Sequence, residues 1–409
     1  MKILLDESID QVRADFPQLT PNLAYLDNAA TTFKPQSVID AESNFYRTDN
    51  ANPRRGFYNL SLQATTDYEN ARTCVANFIN AKHSDEIIFT KNATESLNLI
   101  ALSLADSLLK SDDHILVSIF EHHSNLLPWQ MAAKRHQAKI DYLYCDKTGK
   151  VDLESAEKQL AVRPKILAIS AFSNVIGRID NLAEIIKIAH KYGVIVVVDA
   201  AQAIAHEVID VQKLDADFLV FSGHKIYGPM GIGVLYGKHN LLENMAPVFY
   251  GGEMVENVEL KNVTLADIPY RFEAGTMNVA GAVGLAAAIK YLTSLGLDKL
   301  WQREQELNAY AFNKMSAVPN LEIVGSPTAV AHDGIVSFTI KGAHPHDVAE
   351  VLNVAHVAVR AGYHCAQPLL DFLIDQPAVR VSLSFYNTTA EIDQLAKALL
   401  TVRKKLSYE

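Results

Sequence analysis

Asp199 and Lys225 stand 26 residues apart, each at or just beyond the end of a short apolar run, VIVVVDA for the acid and FLVFSGHK for the amine. A lysine becomes a base or nucleophile once its charge is suppressed, and a carboxylate at the end of a buried strand needs a cation or hydrogen-bonded partner. Taken singly, each has a plain explanation: the acid can cap the next helix, and the lysine can lie beside a tight turn. Ser222 and His224 add a hydroxyl and an imidazole to the same glycine-rich turn, SGHKIYGPMGIG. That turn lacks the GxxxxGK[ST] spacing of a nucleotide-binding loop. Asn92-Ala93-Thr94-Glu95, after EIIFT, has capping-box spacing, and a helix start with a free hydroxyl suits a phosphate.

His122, first of the pair in EHHSN, offers a ring for stacking or acid/base work. Adjacent histidines without further ligand spacing do not suggest a metal, and none is expected. The third cysteine, Cys365 in RAGYHCAQP, lies on a glycine-marked turn after Arg360, with Arg380 fifteen residues further on. Its surroundings read as display rather than packing, whereas Cys74 and Cys145 are most simply structural.

The elements that must position these groups can be read from the same runs. EIIFT, HILVSIF, KILAIS, VIVVVDA and FLVFS alternate with helical patterns between about 85 and 235. Strands apolar throughout, separated by helices, predict a mostly parallel sheet covered on both faces, with ligands beyond the strands' carboxyl ends. The helical pattern of 279–297 continues into LDKLWQREQELNAYAFNKMSAV, and the remainder reads as a smaller α+β unit. The expected organisation is an N-terminal segment, 1–20, packing with the small domain; a large α/β domain, 21–290; and a small C-terminal domain, 291–409.

With 409 residues, 49% hydrophobic and 21% charged, the chain has the composition of a packed globular protein. The 37 Lys and Arg against 47 Asp and Glu give a formal charge of −10, which argues against a general nucleic-acid surface. Three cysteines without CxxC spacing suggest neither a disulfide framework nor a thiolate metal site. No stretch has the length of a membrane span, and a reduced cytoplasm is the expected location.

An amine, an acid, phosphate donors and an imidazole along one sheet edge are the set a pyridoxal phosphate (PLP) site requires. An ordinary lysine titrates at about 10.4, so some 4 kcal/mol of environmental bias would be needed for a neutral amine at pH 7.

At SGHKIYGPMGIG, with VDAAQA before it, the chain resembles the fold-type I PLP enzymes and, among them, the class V aminotransferase family. YLDNAATTFKP (25–35), NATES (92–96), EHHSNLLPW (121–129), SNVIG (173–177), RFEAGTMN (271–278) and RAGYHCAQP are similar to its cysteine desulfurase branch, of the SufS/CsdA type. The resemblance implies that Lys225 carries the cofactor, Asp199 keeps the ring nitrogen protonated, Gln202 contacts the ring hydroxyl and His122 stacks on the ring. It implies a phosphate site from Ala93, Thr94, Ser222 and His224, with Thr276 reaching across from the second subunit of a homodimer. Asn174, Arg360 and Arg380 would hold the substrate carboxylate. Cys365 would take sulfur from L-cysteine as a persulfide, leave L-alanine, and pass the sulfur to a SufE-like or scaffold acceptor for iron-sulfur cluster assembly. Selenocysteine is a further substrate the branch implies. The rival readings are another class V enzyme, an aminotransferase or kynureninase-like lyase, and a PLP-binding assembly subunit without turnover. The chain departs from the branch at Arg54-Arg55-Gly56-Phe57-Tyr58, where His-Arg-Gly-x-His is usual, at Met277, where Pro is common, and at Asn92-Ala93, where Gly-Thr is usual.

Overall fold

The computed structural model describes residues 8–407. Its larger sheet has seven strands: β1 (Ile87–Thr90), β2 (His114–Ser118), β3 (Lys139–Leu143), β4 (Ile166–Ser170), β5 (Ile195–Asp199), β6 (Phe218–Ser222) and β7 (Gly233–Gly237). They lie in the order β1-β7-β6-β5-β4-β2-β3. All pairs among β2 to β6 are parallel, and β7 runs antiparallel to both β1 and β6.

Alternate residues of these strands enter two different cores. Leu116, Leu167, Val196, Val198 and Phe221 face one, and Ile115, Ile166, Ala168, Val197 and Val220 the other. The runs are apolar throughout because helices cover both faces. Strands β3 and β7 were not among the runs read as strands. β3 (KIDYL) is polar at alternate positions, and β7 (GVLYG) is bounded by glycines. Gly233 is required there, since a Cβ would lie 2.5 Å from the Asn92 Cα.

The second sheet contains β8 (Leu321–Ile323), β9 (Ile335–Ile340), β10 (Arg360–Gly362) and β11 (Ala378–Ser382), all antiparallel, in the order β8-β9-β11-β10. Ala24–Tyr25 pairs in parallel with Val357–Ala358, and Asp27 bridges to Ser382, so an early segment is stitched to this later unit. Of the N-terminal segment, residues 1–7 lie outside the described residues; Arg13 pairs with Glu391 at 2.8 Å and donates to the Tyr386 carbonyl at 2.6 Å.

The helical pattern expected to continue past residue 297 is interrupted. α3 (Val279–Leu295) and α4 (Leu297–Ser316) meet at 78° about Gly296, whose φ of +88° suits a residue without a Cβ. Among the described residues no single helix is long and apolar enough to cross a membrane.

Glu273, in the RFEAGTMN stretch, locks α1 (Asn59–Phe78) to β1. Its carboxylate accepts from Arg72 at 2.7 and 2.9 Å, from Tyr68 Oη at 3.1 Å and from the Phe89 N–H at 2.9 Å. Arg72 and Glu273 are each 1% exposed. Glu273→Ala would leave the buried Arg72 guanidinium with the partly exposed Glu69 carboxylate (2.9 Å) as its remaining anion, so a stability loss of about 3 kcal/mol is expected, measured by chemical denaturation. A change below about 1 kcal/mol would show the pair to be energetically idle.

Candidate active site

The carboxyl ends of β1, β2, β4, β5 and β6 open into a cavity of about 450 Å³, closed on its far side by residues of β10, β11 and the turn after β10. Every expected site residue except Thr276 lines it: Ala93, Thr94, His122, Asn174, Asp199, Gln202, Ser222, His224, Lys225, Arg360, Cys365 and Arg380. Thr276 is exposed and borders a separate cleft with Phe249 and Tyr250.

Parallel register brings Ser170 level with Asp199, which puts the acid at the rim of the sheet. Asp199 Oδ1 accepts the Ala201 N–H at 2.9 Å, and Oδ2 has no hydrogen-bond partner among the described residues. Burial raises this carboxyl above its usual range, and the Lys225 charge only partly opposes the rise. The Lys225 amine is pushed down to about 8 by burial, with Arg380 acting in the same direction and Asp199 against it. At pH 7 roughly one such amine in ten is neutral, against roughly one in three thousand for an ordinary lysine. An open carboxylate oxygen on Asp199 and a lysine near its titration point suit a ring with a basic nitrogen and an aldehyde.

Lys225 closes the turn Gly223–Lys225, which is fixed through the His224 carbonyl. That oxygen accepts from the Thr32 N–H at 3.2 Å, Thr31 Oγ1 at 3.1 Å and Lys34 Nζ at 3.0 Å. Burial pushes the Lys34 amine down to about 8. His224 Nδ1 is buried without a hydrogen-bond partner among the described residues, leaving it for a ligand. Facing it is the N-terminus of α2 (Ala93–Leu108), where the Ala93 N–H donates to Ser222 Oγ at 2.9 Å and Thr94 Oγ1 meets Ser124 Oγ at 2.7 Å. Asn92 caps α2 by accepting the Glu95 N–H at 2.9 Å; the Glu95 carboxylate reaches the Lys91 N–H rather than the Asn92 N–H of a full capping box. Hydroxyls, an imidazole and a helix start together form an anion site.

The His122 ring accepts the Ser124 N–H at Nδ1, 3.1 Å, which places its proton on Nε2. Burial, then the Lys225 charge, lowers it to about 3, so it is neutral at pH 7. Glu121 beneath it accepts from the Ser170 N–H and Oγ, both at 2.7 Å, and from Asn125, and is raised to about 7 by burial. Gln202 Nε2 donates to the Ala29 carbonyl at 2.9 Å.

Cys365 is exposed at this cavity, and both it and His364 have left-handed backbones, at φ +55° and +51°. Two such residues in succession are strained and must be held by their neighbours. His364 Nε2 donates to the Ala378 carbonyl at 3.1 Å, Asn174 Nδ2 donates to the His364 carbonyl at 2.6 Å, and the His123 N–H donates to the Cys365 carbonyl at 2.7 Å. Asn174 Oδ1 and Arg380 Nε are buried with no hydrogen-bond partner among the described residues. Arg54 points elsewhere: it pairs with Glu273 at 3.2 Å and its guanidinium lies 3.7 Å from the Tyr270 ring centroid.

Four residues with evident work at this site had no role in the sequence reading: Asp27, Lys34, Glu121 and His123. Asp27 and Lys34 lie in YLDNAATTFKP, some 190 or more positions from the groups they touch, and only folding brings them there.

A lysine, an acid and an anion site at the carboxyl edge of a doubly covered sheet define a class of cofactor-dependent α/β enzymes. The chain belongs to the class-V aminotransferase family, whose description matches residues 24–395. It is 46% identical over 377 residues to a probable cysteine desulfurase of Halalkalibacterium halodurans, covering 92% of each chain. Among solved structures it is similar to an apo cysteine desulfurase of Thermococcus onnurineus (TM-score 0.93, 40% identity, 99% of each chain). It is also similar to the cysteine desulfurase CsdA of Escherichia coli (TM-score 0.90, 38% identity), covering 97% of this chain and 99% of that one.

Proposed function

We propose that the protein is a PLP-dependent cysteine desulfurase, which converts L-cysteine to L-alanine and retains the sulfur as a persulfide on Cys365. The observation that carries this reading is an exposed cysteine on a clamped, strained turn facing the same cavity as Lys225 and Asp199. The residues fit the cofactor: among the described residues Asp199 Oδ2 and His224 Nδ1 have no hydrogen-bond partner, and each could meet a polar group of a ligand in the cavity they both line. When bound, PLP supplies an aldehyde that links to amines and a ring that accepts the electron pair released from the substrate's α-carbon.

Lys225 Nζ would hold the cofactor and serve as the base for the substrate's α-proton. Asp199 would keep the ring nitrogen protonated, Gln202 would hold the ring hydroxyl, and the neutral His122 ring would stack and relay protons from Nε2. Ala93, Thr94, Ser222 and His224 would hold the phosphate, joined by Thr276 from the second subunit of a homodimer. Arg360, Arg380 and the remaining amide hydrogen of Asn174 take the substrate carboxylate, Arg380 through its unpartnered Nε. Cys365 Sγ attacks the substrate sulfur: the S–S bond forms, the C–S bond breaks, and proton return at carbon leaves alanine. The persulfide then passes to a SufE-like or scaffold acceptor in the cytoplasm, serving iron-sulfur cluster assembly. Selenocysteine fits the same steps, selenium being more open to attack by Cys365 Sγ than sulfur and the C–Se bond being weaker than C–S.

The test is the product balance. The purified yellow protein, given L-cysteine and a thiol reductant, should release alanine and sulfide in a 1:1 ratio. Alanine without sulfide, or neither product after PLP is added, would overturn the assignment.

A further inference from the structure

We infer that Asp27 is a positioning residue for substrate recognition, which holds Arg360 and Arg380 together as a single carboxylate receptor. This rests on the carboxylate-site role proposed above for the two arginines.

Arg360 and Arg380 are directly opposite each other in the antiparallel pair β10–β11. Like charges in that relation repel, and the two differ in what could hold them. The Arg380 side chain is 3% exposed and also tied to the Asn174 carbonyl at 3.0 Å, whereas that of Arg360 is 49% exposed. Among the described residues Asp27 is the one hydrogen-bonded anchor of the Arg360 side chain: its Nε lies 3.2 Å from each Asp27 oxygen and its Nη2 lies 2.9 Å from Oδ2. Asp27 Oδ1 also accepts from Arg380 Nη2 at 3.1 Å, so one carboxylate spans both guanidinium groups.

Asp27 is itself immobile. Its backbone bridges to Ser382, and the following N–H groups of Asn28 and Ala29 donate to the Ser382 carbonyl (3.4 Å) and Oγ (2.9 Å). The carboxylate therefore sits at a fixed point between two strands, facing both cations. It leaves Arg380 Nε without a protein partner and aligns the Arg360 fork beside it. Without the negative charge, Arg360 would leave its like-charged neighbour for solvent. The substrate carboxylate would then meet one arginine and have to order the other as it binds. Extra positive charge at a half-exposed site offsets this only weakly, because water and salt screen it.

The test uses the PLP-loaded enzyme and L-alanine as a binding probe, read by calorimetry, with steady-state kinetics on L-cysteine alongside. Asp27→Asn should raise the Kd for L-alanine and the KM for L-cysteine by about tenfold or more, with kcat within about threefold, the signature of lost uniform binding. In an Arg360→Ala background the same change should add less than about twofold, because Asp27 acts through that side chain. Asp27→Glu keeps the charge but shifts it by one methylene, so a Kd rise of about threefold is expected. That variant decides the matter alone should the asparagine variant not fold, an unchanged Kd overturning the inference. So would an unchanged or lower Kd in Asp27→Asn, or a kcat loss without a change in Kd. Arg380→Ala separates this from the site assignment. If it leaves L-alanine binding intact, the carboxylate site itself is misplaced; if it weakens binding while Asp27→Asn does not, only the role of Asp27 fails.

Discussion

Cys365→Ala is expected to lose at least about 10³-fold in alanine and sulfide release from L-cysteine while keeping the yellow colour of bound PLP. The two readouts separate because the cysteine and the cofactor site sit on different elements. Lys225, Asp199 and the helix start at Ala93 belong to the seven-stranded sheet, and Cys365 follows β10 of the other sheet. The substitution removes the one thiol that lines the cavity among the described residues. Cys74 and Cys145 do not line it, and burial raises both thiols, Cys145 to about 12. Alkylation favours an exposed cysteine over buried ones, so iodoacetamide should label Cys365 first in the wild type. Kynurenine cleavage or amino transfer at an undiminished rate in Cys365→Ala would establish a different class V reaction. So would cysteine turnover at the wild-type rate.

Lys225→Ala is expected to lose turnover by about 10⁴-fold, since it removes both the cofactor's covalent anchor and the group that moves the α-proton. Borohydride treatment followed by peptide mass analysis should find PLP attached at Lys225 in the wild type and no attachment in the variant. The environment of the amine adds a pH signature. Only the neutral amine reacts with an aldehyde, and burial moves this lysine down to about 8. Cofactor uptake by stripped wild-type protein should therefore rise with pH with a midpoint near 8, about two units below that of an ordinary lysine. A midpoint near 10 would show that the site does not depress the amine. Labelling at another lysine would remove Lys225 from its assigned place.

What could be read without coordinates was whatever is encoded locally. Fully apolar β-branched runs such as IVVVD and FLVFS announced strands covered on both faces, because a strand's exposure is recorded in its own residues. The positions of Asp199, Lys225 and Thr94 just past such runs then put them on one edge of one sheet. Cys365 stood out because its neighbours were arginine, glycine and histidine rather than apolar residues. Strand β7 was less legible: a glycine-bounded run says little about its direction, which its partners β1 and β6 decide. The break at Gly296 was hidden for a related reason, since a helical pattern on both sides of one glycine reads as one helix until its φ is known.

The contacts that tune the site are long-range, and sequence alone carries no distance. Asp27 reaches Arg360 and Arg380 across more than 330 positions, and Lys34 reaches the His224 carbonyl across 190. The His123 N–H finds the Cys365 carbonyl from the other sheet. The sequence by itself thus determined which chemical groups are present and which sheet edge carries most of them. Tertiary structure alone decided how they are charged, which atoms remain unpartnered, and which neighbours hold the nucleophile, because burial and pairing are properties of packing between segments far apart in the chain.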